Sequence, residues 1–284
     1  MSDIGLWLGA RDANPILPDG RSVRDTSPGA GDQRDEQPGR CLEFNGTSQA
    51  IDCGDSDPFF SLTGDWSLCC HVNFADFSGV QAVISQYRTS GDNRTFMLYS
   101  TGSDVLRVRI ESVAPHTSYV LLDNLATSTL SADKWYSVCC DRSGGVFRYY
   151  LDNVLQDTHT DVDGTRPMYQ TGNMIGARAN SSSYNTTLTD FFAGKIFGVQ
   201  VFDRVLTDGE RSAMLLQARR PWSLIDGQPQ DPVRQYYLDD DSTSVSMDSS
   251  GSGIDGSIVN GAAGMLYEGS DVPWSAQNLI GFSD

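Results

Sequence analysis

The strongest constraint on this chain is a repeated alternation of apolar and polar residues along short runs. A period of two predicts β-strands that each bury one face. Turn-forming sequences such as NGTSQ, TGSD and RSGG separate the runs. The predicted strands are 41–44, 50–53, 66–74, 81–87, 95–100, 105–112, 117–122, 135–140, 146–153, 174–177 and 195–202. So many short strands predict an all-β fold, a two-sheet antiparallel jelly-roll sandwich.

One segment, 206–218, departs from the alternation and predicts a helix. Thr207 or Asp208 is the expected cap, with Glu210 just behind it. The Pro-punctuated stretch 218–232 then predicts a linker. We therefore expect a β-sandwich over 1–217, a linker over 218–232, and a short C-terminal β appendage over 233–284.

The predicted appendage partly repeats the opening of the chain. DTSPGAGD (25–32) and DSSGSGID (248–255) each follow a short aromatic strand. The appendage is too short to bury a core of its own, so it must pack on the sandwich or on another molecule. We expect it to contact other molecules, by adding a strand to an exposed sheet edge. The candidate interaction residues are Tyr236, Tyr237, Leu238 and Trp274.

Adjacent cysteines occur in two similar strands, WSLCCHVNF and WYSVCC. Because side chains alternate along a strand, Cys69 and Cys70 lie on opposite faces, as do Cys139 and Cys140. We expect the second cysteine of the first pair to face the core. If the strands are neighbours in register, we expect Cys69 to face Cys139 and Cys70 to face Cys140.

A third candidate pair is Cys41 and Cys53, which flank a predicted hairpin centred on Thr47. Three interpretations of the cysteines stay open. They could be small apolar residues in tight packing, which is the favoured interpretation in a reducing compartment. Facing residues could form a disulfide. A zinc site could use the set Cys69, His71, Cys139 and Asp141.

Four segments together resemble laminin-G-like, concanavalin A-like jelly rolls. They are CLEFNGTSQAIDCG, WSLCCHVNF, DKWYSVCCDRSGGVFRYYLDNV and FFAGKIFGVQVFDRVLTDGE. A narrower resemblance is to pentraxins, and it implies a disulfide between Cys69 and Cys139. The calcium-ligand cluster of pentraxins has no match in this sequence. Because this fold hosts lectins, enzymes and structural proteins, the resemblance implies the fold more than the function.

The candidate chemistry is sparse. The glucanases of this superfamily carry an E-x-D-x-x-E strand, and none of the five glutamates begins that pattern. The three histidines lie in no catalytic motif, so we expect no enzyme activity and no cofactor. Asp-rich turns could hold structural calcium, although turn formation alone explains them. These turns contain Asp25/Asp32, Asp52/Asp55/Asp57, Asp161/Asp163 and Asp248/Asp255.

The net charge of −17 argues against nucleic acid or an anionic membrane as a partner. The opening residues lack the basic and apolar regions of a signal peptide, so we expect synthesis in a host cytoplasm. The stretch RRPWSL resembles a sequence that follows such jelly rolls in tailed-bacteriophage proteins.

These resemblances imply a non-catalytic virion protein, either head decoration or tail- or fibre-associated, that binds capsid or tail proteins and could form homo-oligomers. The alternative is a lectin-like module for host-surface glycans, with loop aromatics such as Tyr169, Tyr184 and Trp274 stacking on sugars. A glycoside hydrolase ranks below both.

Overall fold

The fold is a sandwich of two antiparallel β-sheets, seen in a computed structural model of the chain. The described residues are 39–54, 64–87, 94–111, 119–123, 129–160, 172–180, 187–215, 232–236, 238, 244–246, 250, 255–261 and 265–269. Among them the elements are almost all strands, with one α-helix. The predicted all-β jelly-roll sandwich is therefore confirmed.

The first sheet, called sheet I, has its strands in the order β10-β9-β8-β3-β14-β1-β18, and β15 also pairs with β14. Its strands are β1 (Gly39–Asn45), β3 (Trp66–Phe74), β8 (Trp135–Ser143), β9 (Val146–Leu151), β10 (Val154–Thr160), β14 (Ala193–Phe202), β15 (Arg234–Tyr236) and β18 (Leu266–Gly269). The long central strands β3, β8 and β14 form the middle of this sheet.

The second sheet, sheet II, has the order β16-β17-β2-β11-β4-β5-β6-β7. Its strands are β2 (Ala50–Asp52), β4 (Gln81–Tyr87), β5 (Arg94–Ser100), β6 (Leu106–Glu111), β7 (Tyr119–Asp123), β11 (Asn173–Ile175), β16 (Val245–Ser246) and β17 (Gly256–Val259). A two-stranded ribbon, β12 (Arg178–Ala179) with β13 (Leu188–Thr189), follows β11.

The core lies between the inner faces of the two sheets. The β3 side chains Leu68, Cys70, Val72 and Phe74 all belong to it, as the alternation predicted. Trp66 joins them and makes edge-on contacts with rings from both sheets. β3 differs from a simple amphipathic strand because all nine of its residues are buried. Its outer face is therefore covered as well.

A bulge in β14 shifts the strand register between Phe197 and Gln200. Gly198 sits in it with a φ of +60°, a left-handed conformation that glycine adopts without steric cost. The extra residue lets Val199 and Val201 point into the core while Phe197 and Gln200 stay on the outer face.

The helix α1 spans Asp208–Leu215, inside the predicted range. Thr207 is the cap: its hydroxyl accepts a bond from the Glu210 amide, and the Glu210 carboxylate accepts one from the Thr207 amide. This reciprocal pair is a capping box. Arg204 donates two bonds to the same carboxylate and, with Thr207, lowers the pKa of Glu210.

The segment predicted as an appendage contributes strands to both sheets of the same chain. β15 pairs with β14, β18 pairs with β1, and β17 pairs with β2. The description of 233–284 as an appendage is therefore wrong for its described strands, because their backbone groups are satisfied by the sandwich itself. The linker 218–231 and most of the two repeated Asp-rich turns lie outside the described residues, so the exact boundaries stay a prediction.

Candidate functional site

The outward face of sheet II has one half that a ribbon covers and a second half that carries partly exposed arginines. The ribbon β12–β13 covers the part formed by β2, β11 and β4. There Ala50, Met174 and Ala177 are fully buried and pack with Leu188 and Phe191. The Ser85 hydroxyl donates to the backbone oxygen of Ala177, which fixes the ribbon to β4. The neighbouring strands β5, β6 and β7 form the second half, where Arg107 and Arg109 are about a third exposed and Met97 is buried.

We call this second half the β5–β7 platform, and it consists of Met97, Tyr99, Arg107, Arg109, Glu111, Leu121 and Asp123. These residues alternate with core residues such as Leu98 and Val108, so they point away from the core. Tyr99, Arg107 and Asp123 form one row across the three strands, because Tyr99 is paired with Arg107 and Arg107 with Asp123.

The first row combines a partly exposed aromatic ring with an ion pair. Tyr99 packs with Ala82 and Met97 on one side. Arg107 Nε lies 3.2 Å from an Asp123 carboxylate oxygen, and the two side chains are 30% and 21% exposed. The bond to Asp123 uses one of the five donors of the guanidinium. The row thus offers an apolar ring face, donors and acceptors within a single strip.

The second row repeats the combination one step further along the strands. Arg109 is paired with Met97 on one side and Leu121 on the other. Its Nε lies 2.7 Å from a carboxylate oxygen of Glu111, which is 3% exposed against 33% for Arg109. The platform therefore carries two arginine–carboxylate pairs beside apolar surface, an arrangement suited to ligands with both hydroxyl groups and C–H faces.

The two described carboxylates of the platform do not face each other. Glu111 and Asp123 lie in different rows, and each forms an ion pair with its own arginine. Retaining and inverting glycosidases need two carboxyl groups that face one bond, one of them with a raised pKa. No group of three or more His, Cys, Asp or Glu residues within the described part of the chain could hold a metal ion.

On the outward face of sheet I, α1 covers the part around Cys69 and Cys139. Leu206 and Met214 pack on Phe202, Cys69, Cys139 and Tyr150 in a small buried cluster. Arg211 anchors the helix, since its guanidinium lies 4.1 Å from the centre of the Tyr150 ring and donates to the Leu206 carbonyl oxygen.

Asp141 lies below this helix and is 1% exposed. One of its carboxylate oxygens accepts a bond from Arg148 at 3.0 Å, and the other lies 3.8 Å from Arg211. Burial raises the pKa of Asp141, and the two arginines oppose that rise. This polar cluster positions the helix and offers no opening to a ligand.

The two cysteine doublets occupy neighbouring strands, as predicted, with Cys69 directly opposite Cys139. Both are thiols, and their sulfur atoms lie 2.6 Å apart under the helix. Burial raises the pKa of Cys69 well above its usual value, and the hydrogen bond with Cys139 adds to the rise. The disulfide implied by the pentraxin resemblance stays a prediction.

Two other cysteine predictions are wrong. In the antiparallel register Cys70 pairs with Val138 and Cys140 with Leu68, so Cys70 and Cys140 lie on a diagonal within the core. Because β3 and β8 run in opposite directions, the register that pairs Cys69 with Cys139 cannot also pair Cys70 with Cys140.

Cys41 and Cys53 do not face each other, because their strands belong to different sheets. Cys41 packs with Phe197 on the outer face of sheet I, whereas Cys53 belongs to the core. The turn centred on Thr47 joins the two sheets instead of closing a hairpin.

The proposed zinc set shares one face of sheet I but does not form a metal cluster. His71 is 1% exposed, its ring lies 6.1 Å from that of Phe197, and burial lowers its pKa to about 3. Cys69 and Cys139 face each other in the next row instead. These side chains are buried within sheet I, and the choice among packing, a disulfide and a zinc site stays a prediction.

Two of the candidate interaction residues are core residues. Tyr236 and Leu238 are fully buried within the main cluster, so neither is exposed to a partner. The other two, Tyr237 and Trp274, lie outside the described residues, as do Tyr169 and Tyr184 and most of the Asp-rich turns. The alternation in β5 and β6 places the platform side chains on one face, but no motif in the sequence marks them as a site.

The described helix is too short and too polar to cross a membrane. No curated protein sequence matches the chain. Among solved structures, a Bacteroides ovatus protein described as carbohydrate-binding is similar at a TM-score of 0.57 and 16% identity, covering 82% of this chain. The chain spans 60% of that protein's length.

A heptameric pentraxin from Limulus polyphemus is similar at a TM-score of 0.50 and 16% identity, covering 81% of this chain and 97% of its own. A carbohydrate-binding module of a Ruminococcus gnavus sialidase follows at 0.49 and 16%, covering 63% of this chain and 98% of its own. At these identities the likeness concerns the fold. The Laminin_G_3 family, described as the concanavalin A-like lectin/glucanases superfamily, matches residues 45–210. The chain therefore belongs to the Laminin_G_3 family of this superfamily.

Proposed function

We propose that this protein is a non-catalytic carbohydrate-binding module and that the β5–β7 platform is its binding surface. The observation that carries the proposal is the strip Tyr99–Arg107–Asp123, where a partly exposed ring adjoins an arginine–carboxylate pair. Sugar rings present C–H faces to aromatic rings and hydroxyl groups to charged donors and acceptors.

The shape of sheet II supports the same surface. The ribbon β12–β13 rises over β4 and packs down on Ala177 and Met174, so the platform is bounded on one side. Binding sites for small ligands are concave and combine apolar surface with a few placed polar groups. The fold shared with the Bacteroides ovatus protein adds to this argument, since that protein is described as carbohydrate-binding.

The absence of activity is part of the proposal. The described acidic residues of the platform are each paired with an arginine and do not face one another. An acid and a base that act on one glycosidic bond need closely opposed carboxyl groups in different environments. We expect no release of reducing ends from the polysaccharides that the protein binds.

The test is a carbohydrate array followed by titration calorimetry on the best ligand. Tyr99→Ala removes the ring and is expected to lower affinity about tenfold, about 1.4 kcal/mol. The matched control is Trp135→Ala, which removes a partly exposed ring from sheet I. Equal affinity of the Tyr99 variant and wild type would show that the platform is not the site, provided that both variants keep the wild-type circular dichroism spectrum.

The virion role predicted from the sequence stays a separate prediction, as does localisation to a virion. The stretch RRPWSL that carries it lies outside the described residues. The two roles are compatible, because a particle-bound module can also bind host-surface glycans. Mass spectrometry of purified particles, with copy number from peptide intensities, tests the virion role independently of the platform.

A further inference from the structure

We infer that the β5–β7 platform takes uncharged saccharides and disfavours sialylated, uronic-acid or sulfated ones, an inference that rests on the proposed function. On the described part of the platform each guanidinium already lies within 3.2 Å of a carboxylate. Anionic sugars bind proteins chiefly through arginines whose charge is available to them. Here that charge is balanced locally.

The border of the platform adds negative charge. Asp104 lies exposed in the turn between β5 and β6, next to the Tyr99–Arg107 end. At the β7 edge, Asp157 of β10 accepts a bond from the Asp123 amide at 3.2 Å. The two platform arginines, Arg107 and Arg109, thus lie among the four carboxylates Asp104, Glu111, Asp123 and Asp157, and the only ion pair described at the ribbon border, Arg178–Asp190, adds no net charge.

The charges close to the platform determine whether an anionic ligand is attracted, because the Debye length is about 8 Å at physiological ionic strength. Most of the charged groups behind the net charge of −17 are screened from the platform by salt, whereas the carboxylates nearest to the platform are not screened. An anionic ligand would have to take an arginine from its present partner. For Arg109 that partner is Glu111, which is 3% exposed, and a buried carboxylate without its cation is strongly disfavoured.

A neutral sugar can bind without separating either arginine from its carboxylate. Its hydroxyl groups can donate to Asp123 and accept from the other donors of Arg107 while the ion pair stays intact. The Tyr99 ring then contacts the C–H face of the same sugar, since it occupies the neighbouring position in the row. The pair Arg107–Asp123 would orient the ligand, and the ring would supply the apolar contact.

The experiment is an array of neutral oligosaccharides beside sialylated, uronate-containing and sulfated ones, read at 50 and 500 mM NaCl. We expect retention of neutral ligands at both salt concentrations and at least tenfold weaker signals from anionic ligands. A preference for anionic ligands that declines with salt and requires Arg107 would overturn the inference while leaving the proposed function intact. Binding of no saccharide overturns both.

One variant, Asp123→Asn, is expected to change the affinities for neutral and for anionic saccharides in opposite directions. Asp123→Asn removes an acceptor charge, so it is expected to weaken a neutral ligand about tenfold. By the same argument the change is expected to strengthen the weak binding of an anionic ligand, because it leaves Arg107 uncompensated, and an anionic signal that does not rise would overturn the inference. The matched control, Arg204→Gln, breaks the Arg204–Glu210 pair at α1 and is expected to leave the preference unchanged. Melting temperatures verify that each variant is folded.

Discussion

His71 provides the sharpest quantitative test of the packing of sheet I. Its imidazole lies on the outer face of β3, is 1% exposed, and packs beside the Phe197 ring. Burial disfavours the charged imidazolium and lowers the pKa of His71 to about 3. In the unfolded chain a histidine has a pKa of about 6.5. Folding and protonation of this side chain therefore compete.

The sign and size of the effect follow from these two values. Above pH 6.5 the imidazole is neutral in both states, so His71 contributes no pH dependence to the free energy of unfolding. Between pH 6.5 and about 3 the unfolded chain binds a proton that the native state excludes, so the free energy of unfolding decreases as the pH falls. The slope is about 1.36 kcal/mol per pH unit, which gives a loss of about 2 kcal/mol at pH 5.0.

The assay is urea unfolding of wild type and His71→Gln at pH 7.5 and 5.0. Between these values we expect wild type to lose about 2 kcal/mol more than the variant, which lacks the titrating group. Comparing the two chains cancels the contribution of the carboxylates, including the raised pKa of Asp141. His159→Gln, on the exposed strand β10, is the matched histidine-to-glutamine variant outside the buried cluster. Equal losses in wild type and His71→Gln would refute the burial argument.

Three further predictions concern other parts of the fold. Refolding with oxidised glutathione is expected to join Cys69 and Cys139, with release of reduced glutathione, seen as a loss of protein thiols that a reductant restores and that Cys139→Ser abolishes; closing a loop between residues 70 apart would stabilise the fold by about 4 kcal/mol, and persistent free thiols after refolding would exclude the bridge. Thr207→Ala removes the cap of α1 and is expected to cost about 1 kcal/mol in urea unfolding, whereas an unchanged midpoint would contradict the capping box. Tyr236→Ala empties a fully buried core position and is expected to cost about 3–5 kcal/mol; a cost below about 1 kcal/mol would mean that β15 is not part of the sandwich core.

Much of the fold could be predicted from local patterns, because side-chain alternation is a direct consequence of strand geometry. The runs at β3 and β4 match the predicted bounds, and the core face of β3 is the one predicted from Leu68 and Cys70. β10 was missed because its sequence, VLQDTHT, belongs to an exposed edge strand and carries almost no apolar signal. Strand pairing also could not be read locally, which explains the wrong register for Cys70 and the wrong sheet for Cys53.

The platform was beyond sequence reasoning for a related physical reason. Alternation places Tyr99 and Arg107 on outward faces, but only the order β5-β6-β7 makes them neighbours. The cover of the other half by Leu188 and Phe191 depends on a ribbon with two residues in each strand. For Tyr236 the sequence predicts an interface position, but the side chain lies in the core. The reason is that β15 pairs with β14 of the same chain.

β1 pairs with β18, so a strand near the start of the described chain must wait for one near its end before it can pair during synthesis. Gly39 is paired with Gly269, and Ile51 of β2 with Ile258 of β17. At a synthesis rate of about 5–20 residues per second, about 10 to 50 seconds separate the emergence of Gly39 from that of its partner. Throughout that interval the nascent chain exposes unpaired strand edges in both future sheets, which are sites of erroneous pairing. Polysome-bound chains should therefore need a chaperone, and ribosome stalling before residue 256 should yield aggregates in place of a smaller folded protein.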